Sequence, residues 1–201
     1  MPSRIVAAVA ALSLLGACAT VVENTYAPQE VVDRVQYREP GPATISVITM
    51  VNNRTGSGAH SALMINGSQR VIFDPAGSFS NKRVPEQDDV LYGVSPAVLA
   101  GYKSAHARLT HHVVTQEMEV TPEQAEIALR LAQSNGPVPR AFCTSASTQL
   151  LRQVPGFENI QQTMFPTNLM RQIEARAGVI TDRYYEDDEG GILEGVAKVD
   201  L

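Results

Sequence analysis

Residues 59–77 read AHSALMINGSQRVIFDPAG and carry the clearest strand and turn signals of the chain. AHSALMI alternates well enough to predict a strand over 59–65. Asn66-Gly67 is the strongest short hairpin signal available, because both residues tolerate the positive φ angles of a tight turn. SQRVIF therefore returns as a second strand over 68–73. The Asp-Pro-Ala-Gly run that follows predicts a β-turn.

The register of this hairpin determines which side chains of its two strands meet. A three-residue loop would place His60 directly opposite Asp74. A two-residue Asn-Gly loop would place His60 opposite Phe73 and turn Asp74 to the other face of the sheet. The sequence alone leaves both registers open.

Further strands and helices flank the hairpin. The β-branched run ATISVITMV predicts a buried strand over 43–51, and the alternating run LTHHVVTQEMEV predicts another over 109–120. Helices are predicted over 96–107, 122–135 and 166–177, each with proline at its first position. Strands and helices therefore share one α+β domain.

Residues 140–154 read RAFCTSASTQLLRQV and contain Cys143. Phe142, Ala146 and Leu150 recur at i, i+4 and i+8, which predicts a helix that starts near the cysteine and carries one apolar stripe. A thiol in the first turn of a helix faces unpaired backbone N–H groups and the positive end of the helix dipole. Both favour the thiolate, which is the nucleophile. The same N–H groups can bind a developing oxyanion.

Other interpretations of this segment remain open. Cys143 could be a small buried hydrophobic residue, which is a common role for a free cysteine. Ser145 and Ser147 are weaker nucleophile candidates. The chain has no G-x-S-x-G motif, and serines near a helix start commonly bond the backbone.

The chain has four histidines that could serve a cysteine as base. His60 begins a strand beside small residues that leave room for a substrate. His106 lies near a helix end, where we expect it to cap the helix or face solvent. His111 and His112 are neighbours on a strand and point to opposite faces, so no zinc site and no cofactor is predicted. Asp74 could orient the base or simply form its turn.

Residues 1–17, MPSRIVAAVAALSLLGA, predict a signal peptide. Arg4 supplies its positive charge, and the 11-residue apolar run after it is far shorter than the ~20 residues that span a bilayer. LGAC, ending at Cys18, resembles the lipobox of bacterial lipoproteins, which implies acylation of that cysteine and a membrane anchor. Ala19 resembles an outer-membrane sorting signal. The alternative is an ordinary secretory signal in which Cys18 is incidental.

Composition and segment patterns limit the class of partner and the extent of the folded domain. A net charge of −5 and a pI of about 5.4 argue against a nucleic-acid partner, and 44% hydrophobic residues suffice for a core. We expect a tether over 18–42, a domain over 43–180 with a polar loop at 78–90, and an acidic tail over 181–201. A cysteine left single in an oxidising periplasm is a liability unless it is buried or used.

Along the chain, a strand with a histidine comes first, a hairpin leads to a strand with a polar residue, and a helix headed by a cysteine follows later. This order resembles that of the circularly permuted NlpC-type papain-like proteins, and the lecithin retinol acyltransferase group shares it. The resemblance covers residues 43–155 and rests on His60 in GSGAHSALMI, Asp74 in RVIFDPAGSF and Cys143 in RAFCTSASTQLL. It implies an antiparallel sheet packed against a helix headed by the cysteine. It also implies that Cys143 is the nucleophile, His60 the general base and Asp74 the group that orients it.

This resemblance and the expected address together imply a thiol hydrolase on the periplasmic side of the outer membrane. Its substrate would be a cell-wall peptide, cleaved as by a cysteine peptidase or amidase, or a lipid amide or ester, with acyl transfer as a further reaction. The alternative is a non-catalytic envelope lipoprotein that uses the fold for binding or structure. In that alternative Cys143 is buried, has a high pKa and lies far from His60.

Overall fold

The structure is a computed structural model that describes residues 26–191, 194, 195 and 197. The predicted signal peptide, residues 1–17, and the lipidation candidate Cys18 lie outside the described residues, as does most of the end of the acidic tail. Within the described part, no helix has the length and apolar character needed to cross a membrane.

Five helices and seven strands form an α+β domain within this part of the chain. The helices are α1 (Gln29–Arg34), α2 (Pro96–His106), α3 (Pro122–Gln133), α4 (Cys143–Leu151) and α5 (Pro166–Glu174). The strands are β1 (Thr44–Asn52), β2 (Gly58–Asn66), β3 (Arg70–Phe73), β4 (Glu86–Gln87), β5 (Val90–Leu91), β6 (His111–Glu119) and β7 (Ile180–Tyr184). The predicted helices and the three longest predicted strands are present, with bounds shifted by a few residues.

All seven strands belong to one antiparallel sheet, in the order β4-β5-β3-β2-β1-β6-β7. Strand β1 pairs with β2 on one side and with β6 on the other, and its β-branched residues are almost all buried. A strand buried on both faces reads as a continuous apolar run. The α+β class and the antiparallel sheet predicted from sequence are thereby confirmed.

Helices cover both faces of the sheet, because successive strand residues point to opposite sides. On one face, Leu63 of β2 packs in a cluster with residues of α3, α4 and α5. On the other face, Met64 of the same strand packs in a second cluster with residues of α2. Helix α4 and helix α2 therefore approach β2 from opposite sides.

The β2–β3 hairpin has neither of the two expected registers. The ladder pairs Leu63 with Phe73, and continuing it places Asp74 opposite Ala62 instead of opposite His60. Compared with the register expected for the three-residue loop, the partner of each β3 residue lies two positions further along β2. A shift of two positions keeps each side chain on its face of the sheet. His60 and Asp74 therefore share a face as diagonal neighbours.

Asn66 explains the register. Its buried side chain accepts the backbone N–H of Glu39 at 3.0 Å and donates to the carbonyl oxygens of Glu39 and Pro42 at 3.2 and 3.3 Å. These bonds hold Asn66 within β2, so the turn moves to the residues after it. The partners are 24 and 27 positions away in sequence, which local turn rules do not consider.

Two segments expected to be a tether and a polar loop pack on the domain, and the run VVDRV within the tether was expected to form a short helix or strand. Residues 26–42 of the expected tether include helix α1, whose Val32 is buried, and the Ala27 N–H donates to the Glu86 carbonyl at 2.7 Å. The expected polar loop at 78–90 contains β4 and the start of β5. Strands of two residues are too short to show a sequence period.

The predicted domain boundary at residue 180 falls inside strand β7. Residues 180–184 pair with β6 along the edge of the sheet, so the start of the expected acidic tail belongs to the domain. Asp182 in this strand forms an ion pair with Lys103 of α2 at 2.9 Å. Part of the acidic charge is thus used in packing the edge strand against α2.

Candidate active site

Cys143 is the first residue of helix α4, as the sequence predicts. Phe142 precedes it as the N-cap residue and provides no side-chain cap. The first backbone bond of the helix runs from the Ala146 N–H to the Phe142 carbonyl at 2.9 Å, so the earlier N–H groups lack helical partners. Phe142 was expected in the buried stripe, but 45% of it is exposed because it lies before the helix.

A hydrogen bond fixes the head of α4 against strand β2, because the Ser61 hydroxyl donates to the Thr144 hydroxyl at 3.0 Å. The Ser61 backbone N–H also acts to lower the pKa of the Cys143 thiol. The β2–β3 ladder stops at Leu63, so strand β3 does not cover Ser61. Only 7% of Cys143 is exposed.

His60 is positioned by an irregularity in strand β2. Met50 pairs with His60 and Val51 pairs with Gly58, so that Ala59 is the extra residue of a β-bulge. Bulges re-aim neighbouring side chains and are common beside active sites. Here the bulge lies directly before the histidine.

The His60 ring lies close to both of its expected partners. Its Nε2 is 2.6 Å from Asp74 Oδ1, and the carboxylate is 96% buried. The ring also lies close enough to the Cys143 thiol for each group to shift the pKa of the other. Because Asp74 occupies Nε2, Nδ1 is the nitrogen left for the sulfur. The three residues predicted as a site therefore meet.

Asp74 is held by the turn that its sequence predicts. The Gly77 N–H donates to the Asp74 carbonyl at 2.8 Å, and Ala76 between them has a φ of 56°. A Cβ atom at Gly77 would overlap Asp74 Oδ2. The glycine therefore leaves the space in which the carboxylate lies.

Helix α2 adds two residues that the sequence did not identify as part of the site. The hydroxyl of the fully buried Tyr102 donates to Asp74 Oδ1 at 2.8 Å. His106 lies one turn later, with Nδ1 2.8 Å from the Tyr102 carbonyl oxygen and its ring parallel to the His60 ring at 6.3 Å. Of the two expectations for His106, solvent exposure is wrong because the residue is buried, whereas its ring does bond a carbonyl oxygen in the last turn of α2, as a capping residue would. Val98, Tyr102 and His106 recur at i, i+4 and i+8, a buried-face signal that was available.

The charges at the site shift one another's pKa values. Burial acts to lower the pKa of His60, but Asp74, together with Cys143, raises it to about 10. Burial acts to raise the pKa of Cys143, but the hydrogen bond and charge of His60 lower it to about 7, with help from Ser61. Against its own burial, the pKa of Asp74 is held below the usual range by His60. Between pH values of about 7 and about 10, the Cys143 thiolate and the His60 imidazolium are therefore favoured together.

The other candidates lie outside this arrangement. His111 and His112 point to opposite faces of β6, and the His112 ring bonds Asn53 at 2.7 Å. The Ser145 hydroxyl accepts a bond from Gln162 at 2.8 Å, and Ser147 is buried. Among the described residues, no group of three or more His, Cys, Asp or Glu could hold a metal ion.

A cysteine at a helix N-terminus, a nearby histidine and a buried carboxylate on that histidine form an arrangement that can activate a thiol as a nucleophile. Comparison of the chain with protein-family models, with curated proteins and with solved structures found no match.

Proposed function

We propose that this chain is a cysteine hydrolase or acyltransferase of the circularly permuted NlpC-type papain-like kind, with Cys143 as nucleophile, His60 as general base and Asp74 as the group that orients His60. The observation that carries the proposal is the 2.6 Å bond between His60 and Asp74 beside a thiol at the head of a helix. The order of the three residues along the chain supports the same superfamily.

The chemistry follows from the roles of these groups. The Cys143 thiolate attacks a carbonyl carbon and forms a C–S bond, while the carbonyl π electrons move to oxygen. Unpaired N–H groups of the first turn of α4 stabilise the oxyanion. When it collapses, the bond to the leaving amine or alkoxide breaks, and the leaving group takes a proton from the His60 imidazolium. Water or another acceptor then attacks the thioester, gives its proton to His60 and releases the thiolate.

The substrate is proposed from address and superfamily. With Cys18 lipidated, the enzyme would face the periplasm from the outer membrane, where cell-wall peptide amides and lipid amides or esters occur. Eight residue steps separate Cys18 from Tyr26, which bridges to Gln87 of the domain. An extended chain of that length reaches at most about 28 Å. The domain would therefore stay close to the membrane surface.

The non-catalytic alternative makes three predictions about Cys143. It requires a buried thiol, and 7% exposure agrees with that. It also requires a high pKa and a large separation from His60, whereas His60 lies close enough to lower the pKa of Cys143 to about 7. The geometry therefore favours thiol chemistry.

The proposal is tested by the alkylation rate of Cys143 with iodoacetamide as a function of pH. The full chain carrying Cys18→Ser leaves Cys143 as its single thiol. We expect the rate to rise with an inflection near pH 7. In His60→Ala the inflection should move toward the ~8.5 of a free thiol, and the rate at pH 6.5 should fall at least ~10-fold. Asp74→Asn should move the inflection in the same direction by a smaller amount.

His112→Ala is the matched control. His112 lies on β6, away from Cys143, so its loss should leave the pH profile of alkylation unchanged. Slow labelling that is the same with and without His60 would mean that the cysteine is structural. If the pair is present, cell-wall peptides and short-chain lipid esters are the first substrates to assay. Cys143→Ala should abolish turnover of whichever class reacts.

A further inference from the structure

Two buried hydroxyl groups lie beside the thiol that we propose as nucleophile. Thr144 follows Cys143 in the first turn of α4, and Ser61 follows His60 in β2. Both hydroxyl-bearing residues are fully buried. A hydroxyl that is cut off from water is tolerated only with hydrogen-bond partners inside the protein. The partners of these two hydroxyls therefore indicate what each of them does.

The two hydroxyls form a chain that ends at the sulfur. The Ser61 hydroxyl donates to Thr144 Oγ1 at 3.0 Å, and Thr144 Oγ1 lies 3.8 Å from Cys143 Sγ. Among the described residues, Ser61 and Cys143 are the two hydrogen-bond partners of the Thr144 hydroxyl. A hydroxyl has one hydrogen and two lone pairs. Since a lone pair of Thr144 accepts the hydrogen of Ser61, the hydrogen of Thr144 remains available for the sulfur.

The ionisation state of Cys143 decides how good an acceptor this hydrogen finds. The sulfur of a neutral thiol accepts hydrogen bonds weakly. A thiolate is charged, and a hydrogen bond to a charged group is roughly twice as strong as one between neutral groups. Because Thr144 is fully buried, its hydroxyl has no water to turn to. The chain of hydroxyls is therefore better satisfied when the sulfur is ionised.

We propose that Thr144 is a further functional residue of the site, whose hydroxyl donates to the Cys143 thiolate and is oriented for that bond by Ser61. This proposal rests on the function proposed above, because it needs Cys143 to act as a thiolate. Consecutive residues of β2 then act on one sulfur, His60 through its charge and Ser61 through Thr144.

The pKa of Cys143 agrees with this direction. Burial acts to raise the pKa, whereas His60 acts most strongly to lower it. The Ser61 N–H and then the Thr144 hydroxyl act in the same direction as His60. Thr144 therefore supports the histidine and does not replace it.

The same hydroxyl acts again when the thioester is hydrolysed. In the thioester the sulfur is neutral and accepts hydrogen bonds weakly. After water has attacked the carbonyl carbon and given its proton to His60, the C–S bond breaks and its electron pair returns to sulfur. The hydrogen of Thr144 then meets a developing thiolate. Thr144 thus favours the sulfur as a leaving group.

A comparison of Thr144→Val with Ser61→Ala tests the proposal. Each substitution breaks the 3.0 Å bond between α4 and β2, but only Thr144→Val removes the hydroxyl beside the sulfur. The readout is the rate of Cys143 alkylation with iodoacetamide as a function of pH, in the full chain carrying Cys18→Ser.

We expect Thr144→Val to move the inflection up by roughly 0.5–1 pH unit, which is what a hydrogen bond to a charged group contributes. The alkylation rate at pH 6.5 should then fall about 3- to 8-fold. Ser61→Ala should give a smaller shift in the same direction. Thr144→Ser keeps the hydroxyl and should return the inflection toward that of the unsubstituted chain. Should Thr144→Val fail to fold, Thr144→Ala takes its place.

Two outcomes would overturn the proposal while leaving the proposed function intact. One is an inflection that stays in place in Thr144→Val but moves in His60→Ala, since the thiolate would then depend on the histidine without the hydroxyl. The other is an equal shift in Thr144→Val and Ser61→Ala, which would assign the effect to the docking of α4 on β2. If the inflection moves in neither His60→Ala nor Thr144→Val, the proposed function fails, and this proposal fails with it.

Discussion

At the scale of single residues, Asp74 is the group on which the site depends. Its Oδ1 accepts hydrogen bonds from His60 and Tyr102, while its backbone N–H donates to the Asp89 carbonyl at 2.8 Å. A buried carboxylate is tolerated only when it is paired and hydrogen-bonded. The sequence left open whether this aspartate forms a turn or orients a base, and the structure shows that the turn is what holds the carboxylate against His60.

Gly77→Ala tests this dependence without removing any charge. The added Cβ would overlap Asp74 Oδ2, so the carboxylate has to move away from His60. With less attraction from Asp74 the pKa of His60 falls, and the pKa of Cys143 rises because its cationic partner is weaker. We expect the inflection of the alkylation profile to move to higher pH. Urea unfolding should show a loss of roughly 1–3 kcal/mol, as is typical of overpacking.

Gly191→Ala is the control for this substitution. A Cβ at that position meets nothing within 4 Å, so both the profile and the unfolding free energy should stay as they are. An unchanged inflection in Gly77→Ala, despite a measurable loss of stability, would show that Asp74 does not set the state of the thiol.

At the scale of elements, the helices were predictable because their signals are local. Ser95 accepts the Val98 N–H at 3.3 Å at the start of α2, and the following proline fits the first turn. Helix α3 starts with a complete capping box between Thr121 and Gln124. The hairpin register was not predictable, because it depends on bonds that Asn66 makes to a segment 24 to 27 residues away.

Thr121→Ala measures what the cap of α3 contributes. The Thr121 hydroxyl accepts the Gln124 N–H at 3.2 Å, and the Gln124 side chain accepts the Thr121 N–H at 2.7 Å. Loss of the hydroxyl should lower the free energy of unfolding by about 1 kcal/mol, measured by urea unfolding at pH 7. Thr121→Ser keeps the acceptor and should be close to the unsubstituted chain. A loss equally large in the serine variant would assign the effect to the methyl group instead.

At the scale of the whole molecule, the site combines parts of unequal predictability. His60 and Asp74 belong to one hairpin, so the sequence predicts that they lie near each other, but it does not predict the register that places them on one face. Cys143 reaches them only because α4 packs on β2, which the resemblance implied but no local pattern showed. Tyr102 joins through α2, which packs on the opposite face of the sheet from α4. A contact of that kind depends on the packing of both faces, which the sequence did not reveal.

A cluster of acidic residues on the β4–β5 side links the stability of the molecule to pH. The pKa of Glu86 is raised to about 7, first by burial and then by Asp74, Asp89 and Asp88. A carboxyl whose pKa is higher in the folded than in the unfolded state favours folding when it is protonated. That contribution is fully present below pH 4.5 and is lost as the pH rises through about 7.

Glu86→Gln removes this titration and should therefore change stability in a pH-dependent way. At pH 8 the substitution should raise the free energy of unfolding by about 1 kcal/mol, a value reduced from the full shift because Glu86 is partly exposed and solvent screens its charge. Near pH 4 the gain should disappear, since the glutamate is then neutral as well. Urea unfolding at both pH values measures the difference, with the exposed Glu174→Gln as control. A gain of equal size at both pH values would contradict a cost of burying the Glu86 charge beside other carboxylates and would point to packing of the amide.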